Sequence, residues 1–119
     1  MAAIKSYTDL EQSKKLAEIL PIESADMGWN VFVDGTSRIL PIHDWDLTKE
    51  GSNGVKFFHA WSLATLLKLL PKSAQLEKGN VTELYRVVLP VELDASDWYV
   101  EPIDACVAMI EKLHELNLL

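Results

Sequence analysis

The sequence predicts an α+β fold in the order α-β-β-α-β-β-α, an antiparallel sheet of two hairpins packed with three helices. Three observations predict it. Amphipathic stretches at about 9–20, at 60–70 and from Pro102 onward repeat their apolar residues at helical spacing. Prolines punctuate all three: Pro21 and Pro71 end the first two, and Pro102 opens the third. Between the helices lie β-forming stretches broken by the turn formers Asp34-Gly35 and Asp94-Ala-Ser-Asp97.

Met1 to Tyr7 reads as a short arm. Thr8-Asp-Leu-Glu11 has the spacing of a capping box, so the first helix is expected from about Asp9 to Leu20, with Leu10, Leu16, Ala17 and Leu20 on one face. Glu11 and Lys15 form a favourable i, i+4 pair. Ile22 to Gly28 is a polar connector. Trp29-Asn-Val-Phe-Val33 reads as a strand, Asp34-Gly35 as its hairpin turn, and Ser37 to Ile42 as the returning strand. Pro41 has no N–H for a ladder, so this second strand is expected at a sheet edge or at a bulge. His43 to Phe58 has no pattern and reads as a long loop.

His59 to Pro71 is the most apolar run and reads as the helix around which the chain is organised. Ala60, Leu63, Ala64, Leu66, Leu67 and Leu70 form a face broad enough to be buried by more than one neighbour. Lys72 to Asn80 is expected as a connector. Leu84 to Leu89 is the third strand, and Trp98-Tyr-Val100 begins the fourth. In the last helix Ile103, Cys106, Val107, Ile110 and Leu113 form the apolar face, with Asp104 near its positive end and His114 near its negative end. Leu16-Ala-Glu-Ile-Leu-Pro21 echoes Leu66-Leu-Lys-Leu-Leu-Pro71, a faint sign of a duplicated helix-plus-hairpin unit.

At 119 residues the chain is expected to be one domain, 1–119, large enough to fold without staples. The net charge of −7 argues against nucleic acid and anionic membrane surfaces as partners, because phosphate contacts need clustered Lys and Arg. A single cysteine, Cys106, allows no intrachain disulfide. The first residues lack the apolar run of a signal peptide, and no transmembrane segment is read, so the expected location is cytoplasmic.

Three blocks carry a resemblance: Tyr7 to Met27, Trp61 to Pro71, and Pro102 to Leu119. Together they resemble a family of short, uncharacterised bacterial proteins of gut Bacteroidales, often found among mobile-element genes. Where family members often carry a cysteine before the central tryptophan, this chain has His59-Ala60, and no thiol or metal role carries over. The resemblance implies a mobile-element setting and supplies no activity.

No catalytic grouping stands out. Ser62 lacks the Gly-x-Ser-x-Gly elbow, and Cys106 lies on an apolar helix face. His43-Asp-Trp-Asp46 gathers an imidazole and two carboxylates, but a metal site would need a further ligand from elsewhere. The alternative is an acidic loop with Trp45 tucked onto the core. Trp29, Trp45, Trp61 and Trp98 would mark a binding surface if several shared one exposed face, and otherwise fill the core. The expected function is a non-enzymatic module, with no cofactor, that binds another protein or itself. The contact is expected through the edge strand containing Pro41 or the loop 43–58, with His43, Asp44, Trp45, Asp46 and Trp61 as the candidate binding residues. The rival readings are an acidic inhibitor that mimics nucleic acid against a host defence enzyme, and a metal-binding or enzymatic protein using His43, Asp44 and Asp46.

Overall fold

The computed structural model describes residues 5–41, 56–80, 82–89 and 94–117. It confirms the α+β class, with three helices and antiparallel sheets. The order is α-β-β-β-α-β-β-β-α. Where the sequence led us to expect one sheet of two hairpins, the described residues form two three-stranded sheets. Each belongs to its own compact unit, one spanning Tyr7–Ser62 and the other Leu63–Leu119 together with Met1–Ser6.

In the Tyr7–Ser62 unit, α1 (Leu10–Ala17) is capped by Asp9, whose carboxylate accepts the Gln12 N–H at 2.8 Å while the Gln12 side chain accepts the Asp9 N–H at 3.1 Å. The capping box is therefore one residue later than the Thr8–Glu11 reading. Thr8 is buried, and its hydroxyl is used elsewhere: it accepts the Trp61 N–H at 3.1 Å. Ser13 gives its own proton to the Asp9 carbonyl at 2.6 Å, so Thr8 donates to Ser13 across 2.8 Å. Thr8→Val is expected to strand the buried Trp61 N–H and cost about 1–3 kcal/mol, as read by urea denaturation. On the helix surface Glu11 lies 4.0 Å from Lys14, not in the expected pair with Lys15.

The sheet of this unit has the order β2-β1-β3, with β1 at Met27–Val31, β2 at Ser37–Pro41 and β3 at Lys56–Ala60. β1 starts and ends two residues before the expected Trp29–Val33. β3 falls where a loop and the start of the central helix were expected. Both neighbours of β1 run antiparallel to it, in the registers Trp29↔Ile39 and Trp29↔Phe58. α1 packs against β3, and Lys14 places its ammonium 5.1 Å from the centre of the Phe58 ring.

Among the described residues β2 lies at the edge of its sheet, as Pro41 led us to expect. The Phe32 N–H donates to the Thr36 carbonyl at 2.8 Å, which fixes the alternation of the ladder. In the register Asn30↔Arg38 and Gly28↔Leu40, the residues turned toward β1 are Arg38 and Leu40. Ser37, Ile39 and Pro41 then direct their main-chain groups away from the sheet, so the missing N–H of Pro41 costs no internal bond.

In the second unit α2 spans Leu63–Leu69, shorter than expected, because Ala60 belongs to β3 and Ser62 forms a bridge with Tyr7. The Leu63 N–H donates to the Ser6 carbonyl at 2.9 Å. Leu66 and Leu70 are buried, whereas Ala64 and Leu67 are exposed, so this helix buries a stripe narrower than its composition implied. The second sheet has the order β4-β5-β6, with β4 at Gln75–Lys78, β5 at Tyr85–Leu89 and β6 at Asp94–Ala95. The returning strand expected at Trp98–Val100 is reduced to one bridge, in which Tyr85 and Tyr99 exchange main-chain bonds of 2.6 and 2.7 Å.

The element at the centre of this unit is α3 (Pro102–Glu115), not α2. Ile103, Ala105, Cys106, Val107, Met109, Ile110 and Leu113 are all buried, and α3 packs against both α2 and β5. At its N-terminus the Lys5 N–H donates to the Glu101 carboxylate and the Lys5 ammonium bonds Asp104, each at 2.9 Å. The helix ends at Leu116, and Asn117 follows in the left-handed region at φ 56°.

Candidate functional site

His43, Asp44, Trp45 and Asp46 lie outside the described residues. Among the described residues no group of three His, Cys, Asp or Glu side chains converges to hold a metal ion, and no helix is long and apolar enough to cross a membrane.

Trp61 is described, and it lies in the core. Its exposure is 0%. Its N–H goes to Thr8, its carbonyl accepts the Thr8 N–H at 2.9 Å, and its indole N–H donates to the Ser24 hydroxyl at 2.9 Å. All three polar groups of Trp61 are thus bonded, and none of its surface is exposed. Trp29 is half-buried and donates its indole N–H to the Thr8 carbonyl at 2.9 Å, with the Tyr7 ring edge-on at 5.8 Å. Of the three described tryptophans, Trp98 alone is exposed, at 40%, so they form no shared aromatic face.

In the Tyr7–Ser62 unit the surface with the clearest unmet character is the tip of the β1–β2 hairpin. Gly35 donates to the Phe32 carbonyl at 3.0 Å and adopts φ 89°, a conformation that side chains rarely accept. The Asp34 carboxylate accepts both the Thr36 N–H at 3.0 Å and the Thr36 hydroxyl at 2.6 Å. These bonds hold the Asp34 carboxyl below its usual pKa. The turn is thus fixed from within, yet it displays Val33 at 79% exposure and Phe32 at 37%. A β-carbon at Gly35 would meet nothing within 4 Å, so the constraint there is purely conformational. Gly35→Ala is expected to cost about 1–2 kcal/mol in thermal or urea unfolding. The turn was legible through Asp34-Gly35, but the exposure of the two apolar residues beside it was not, since Trp29 to Val33 was expected to be strand.

In the other unit a cleft of about 380 Å³ is lined by Glu77, Lys78, Gly79, Asn80, Thr82 and Trp98. Glu77 faces Arg86 across the β4–β5 ladder, and one carboxylate oxygen, Oε1, accepts from both Nε at 3.1 Å and Nη2 at 2.9 Å. The same guanidinium lies 4.5 Å over the Trp98 ring. Gly79 is required by space: a β-carbon there would lie 2.6 Å from the Thr82 hydroxyl oxygen, 3.2 Å from the Thr82 carbonyl and 3.6 Å from Trp98 Cζ3. This cleft was not legible in the sequence, where Lys72 to Asn80 read as a connector.

Two titratable groups bear on chemistry. Cys106 is fully buried, and burial pushes its thiol up to about 12, which leaves it inert as a nucleophile. We expect no reaction with a thiol reagent at pH 8 in the native protein and full reaction in denaturant. His59, half-buried on β3 with the Phe57 ring 4.8 Å away, titrates below its ordinary value of 6.5 because of burial, partly offset by the Glu23 carboxylate. With the folded value depressed, His59 favours the folded state above pH 6.5, and that contribution is lost as pH falls through its folded value. An NMR titration of the His59 ring is expected to show a midpoint below 6.5.

Compared with known proteins, the chain matches no family model, no curated protein and no solved structure.

Proposed function

We propose that this chain is a non-enzymatic protein-interaction module, a small acidic cytoplasmic accessory of the mobile-element kind that the sequence resemblance implies. Its contact is strand addition: a partner protein lays an extended segment along the outer edge of β2 and covers the hairpin tip. The observation that carries this reading is the exposed pair Phe32 and Val33 on an internally braced turn, at the end of an edge strand. Ser37 and Ile39 supply outward N–H groups for such a segment, and Ser37, Ile39 and Pro41 supply outward carbonyls. An apolar tip on a rigid support loses little conformational entropy when it docks.

The test is affinity capture by the immobilised full chain, comparing wild type with Val33→Asp and with Glu18→Lys as an exposed control. The reading expects a protein retained by wild type and by the control, and lost with Val33→Asp. Retention by all three would remove the hairpin from the contact. A wild-type chain that gains mass with concentration in light scattering, and loses that gain with Val33→Asp, would identify the partner as a second copy.

A further inference from the structure

We propose that the cleft beside Trp98 is a binding site for a neutral saccharide of one or two sugar rings, separate from the protein contact on the hairpin. The volume of about 380 Å³ sits at the small end of the range for small-molecule sites, roughly 300–1,000 Å³. One wall is an indole exposed at 40% and steadied by the Arg86 guanidinium stacked on it. A sugar ring offers an indole an apolar C–H face and surrounds that face with hydroxyls. The polar groups around the indole match that pattern, because they mix donors and acceptors within one cleft. Both Arg86 bonds to Glu77 go to Oε1, so Oε2 is available as an acceptor. The Asn80 amide and the Thr82 hydroxyl each both donate and accept, and Lys78 donates.

Charge argues against the other ligand classes. A cationic ligand would meet the like charge of the Arg86 guanidinium, which lies against both the Trp98 ring and the Glu77 carboxylate. An anionic ligand would meet Lys78 without the help of Arg86, which is already bonded to Glu77. A neutral ligand rich in hydroxyls uses the whole lining without an unpaired charge. Gly79 lets two lining residues approach closely, since a β-carbon there would collide with Thr82.

The experiment is an NMR titration of the full-length protein, following the Trp98 indole N–H and the Asn80 amides. The probes are methyl β-glucoside, N-acetylglucosamine and cellobiose, with adenosine and acetate as counter-probes. The expected result is a saturable shift with at least one saccharide, at a millimolar Kd suited to an open cleft, roughly −4 kcal/mol. Trp98→Ala and Asn80→Ala should each weaken it by about tenfold or more. Asn80 is exposed, so its variant reports on the site without disturbing the fold. The proposal is overturned if no saccharide saturates by about 50 mM, where a millimolar site would be nearly full. It is equally overturned if adenosine or acetate binds more tightly than every saccharide, or if binding is unchanged by Asn80→Ala.

Discussion

Trp61→Ala is expected to lower stability by about 3–5 kcal/mol, the usual cost of truncating a fully buried large aromatic. The loss has two parts. The larger is the cavity left by an indole with no exposed surface. The smaller is the loss of the indole N–H bond to Ser24, worth about 1 kcal/mol and leaving the Ser24 hydroxyl its bond to the Pro21 carbonyl at 2.6 Å. Trp61→Phe separates the two, because it keeps most of the ring volume and loses the donor, and it should cost clearly less than the alanine variant. Total stabilities of small domains run about 5–15 kcal/mol, so the alanine variant should unfold at a much lower urea midpoint. An unchanged midpoint would mean that Trp61 is not enclosed.

Ile110→Ala carries the second large effect, about 2–5 kcal/mol. Ile110 lies on the buried face of α3, with Cys106, Val107 and Leu113 buried around it on the same helix. Removing three carbons from that face leaves a void that a helix packed against both α2 and β5 cannot readily close. Leu67→Ala is the matched control on α2, since its side chain is exposed, and its cost should stay near or below about 1 kcal/mol. If both variants cost the same, α3 would not be the centre of its unit.

Which elements the sequence revealed follows from how local their causes are. α3 was legible in full: Pro102 sets its start, and Ile103, Cys106, Val107, Ile110 and Leu113 are buried as their spacing predicted. The β1–β2 hairpin was legible because Asp34-Gly35 encodes the turn and Pro41 encodes the edge. β3 was hidden because Phe57 and Phe58 are adjacent and give no alternation. It forms through pairing with β1, which is distant in the chain. β4 has the weak strand formers Gln75, Glu77 and Lys78, and its pairing with β5 is supported by the Glu77–Arg86 bridge. The capping box slipped by one residue because Thr8 and Asp9 are both good caps, and only the Trp61 N–H decides which is free.

The proposed contact surface was legible in part. The edge strand at Pro41 was expected as a contact, and its outward main-chain groups follow from the register. That Trp61 is the enclosed tryptophan was not legible, because its apolar neighbours carry no sign of it. The exposure of Trp98 and of Val33 depends on the chain around them and not on their own spacing.

The most direct test of the proposed contact is photo-crosslinking in the producing cell, with a benzophenone amino acid placed at Val33 and, separately, at Glu18. Both positions are exposed, and only Val33 lies on the hairpin tip. The account predicts a discrete protein adduct from Val33 and none from Glu18. The same adducts from both positions, or none from Val33, would contradict it.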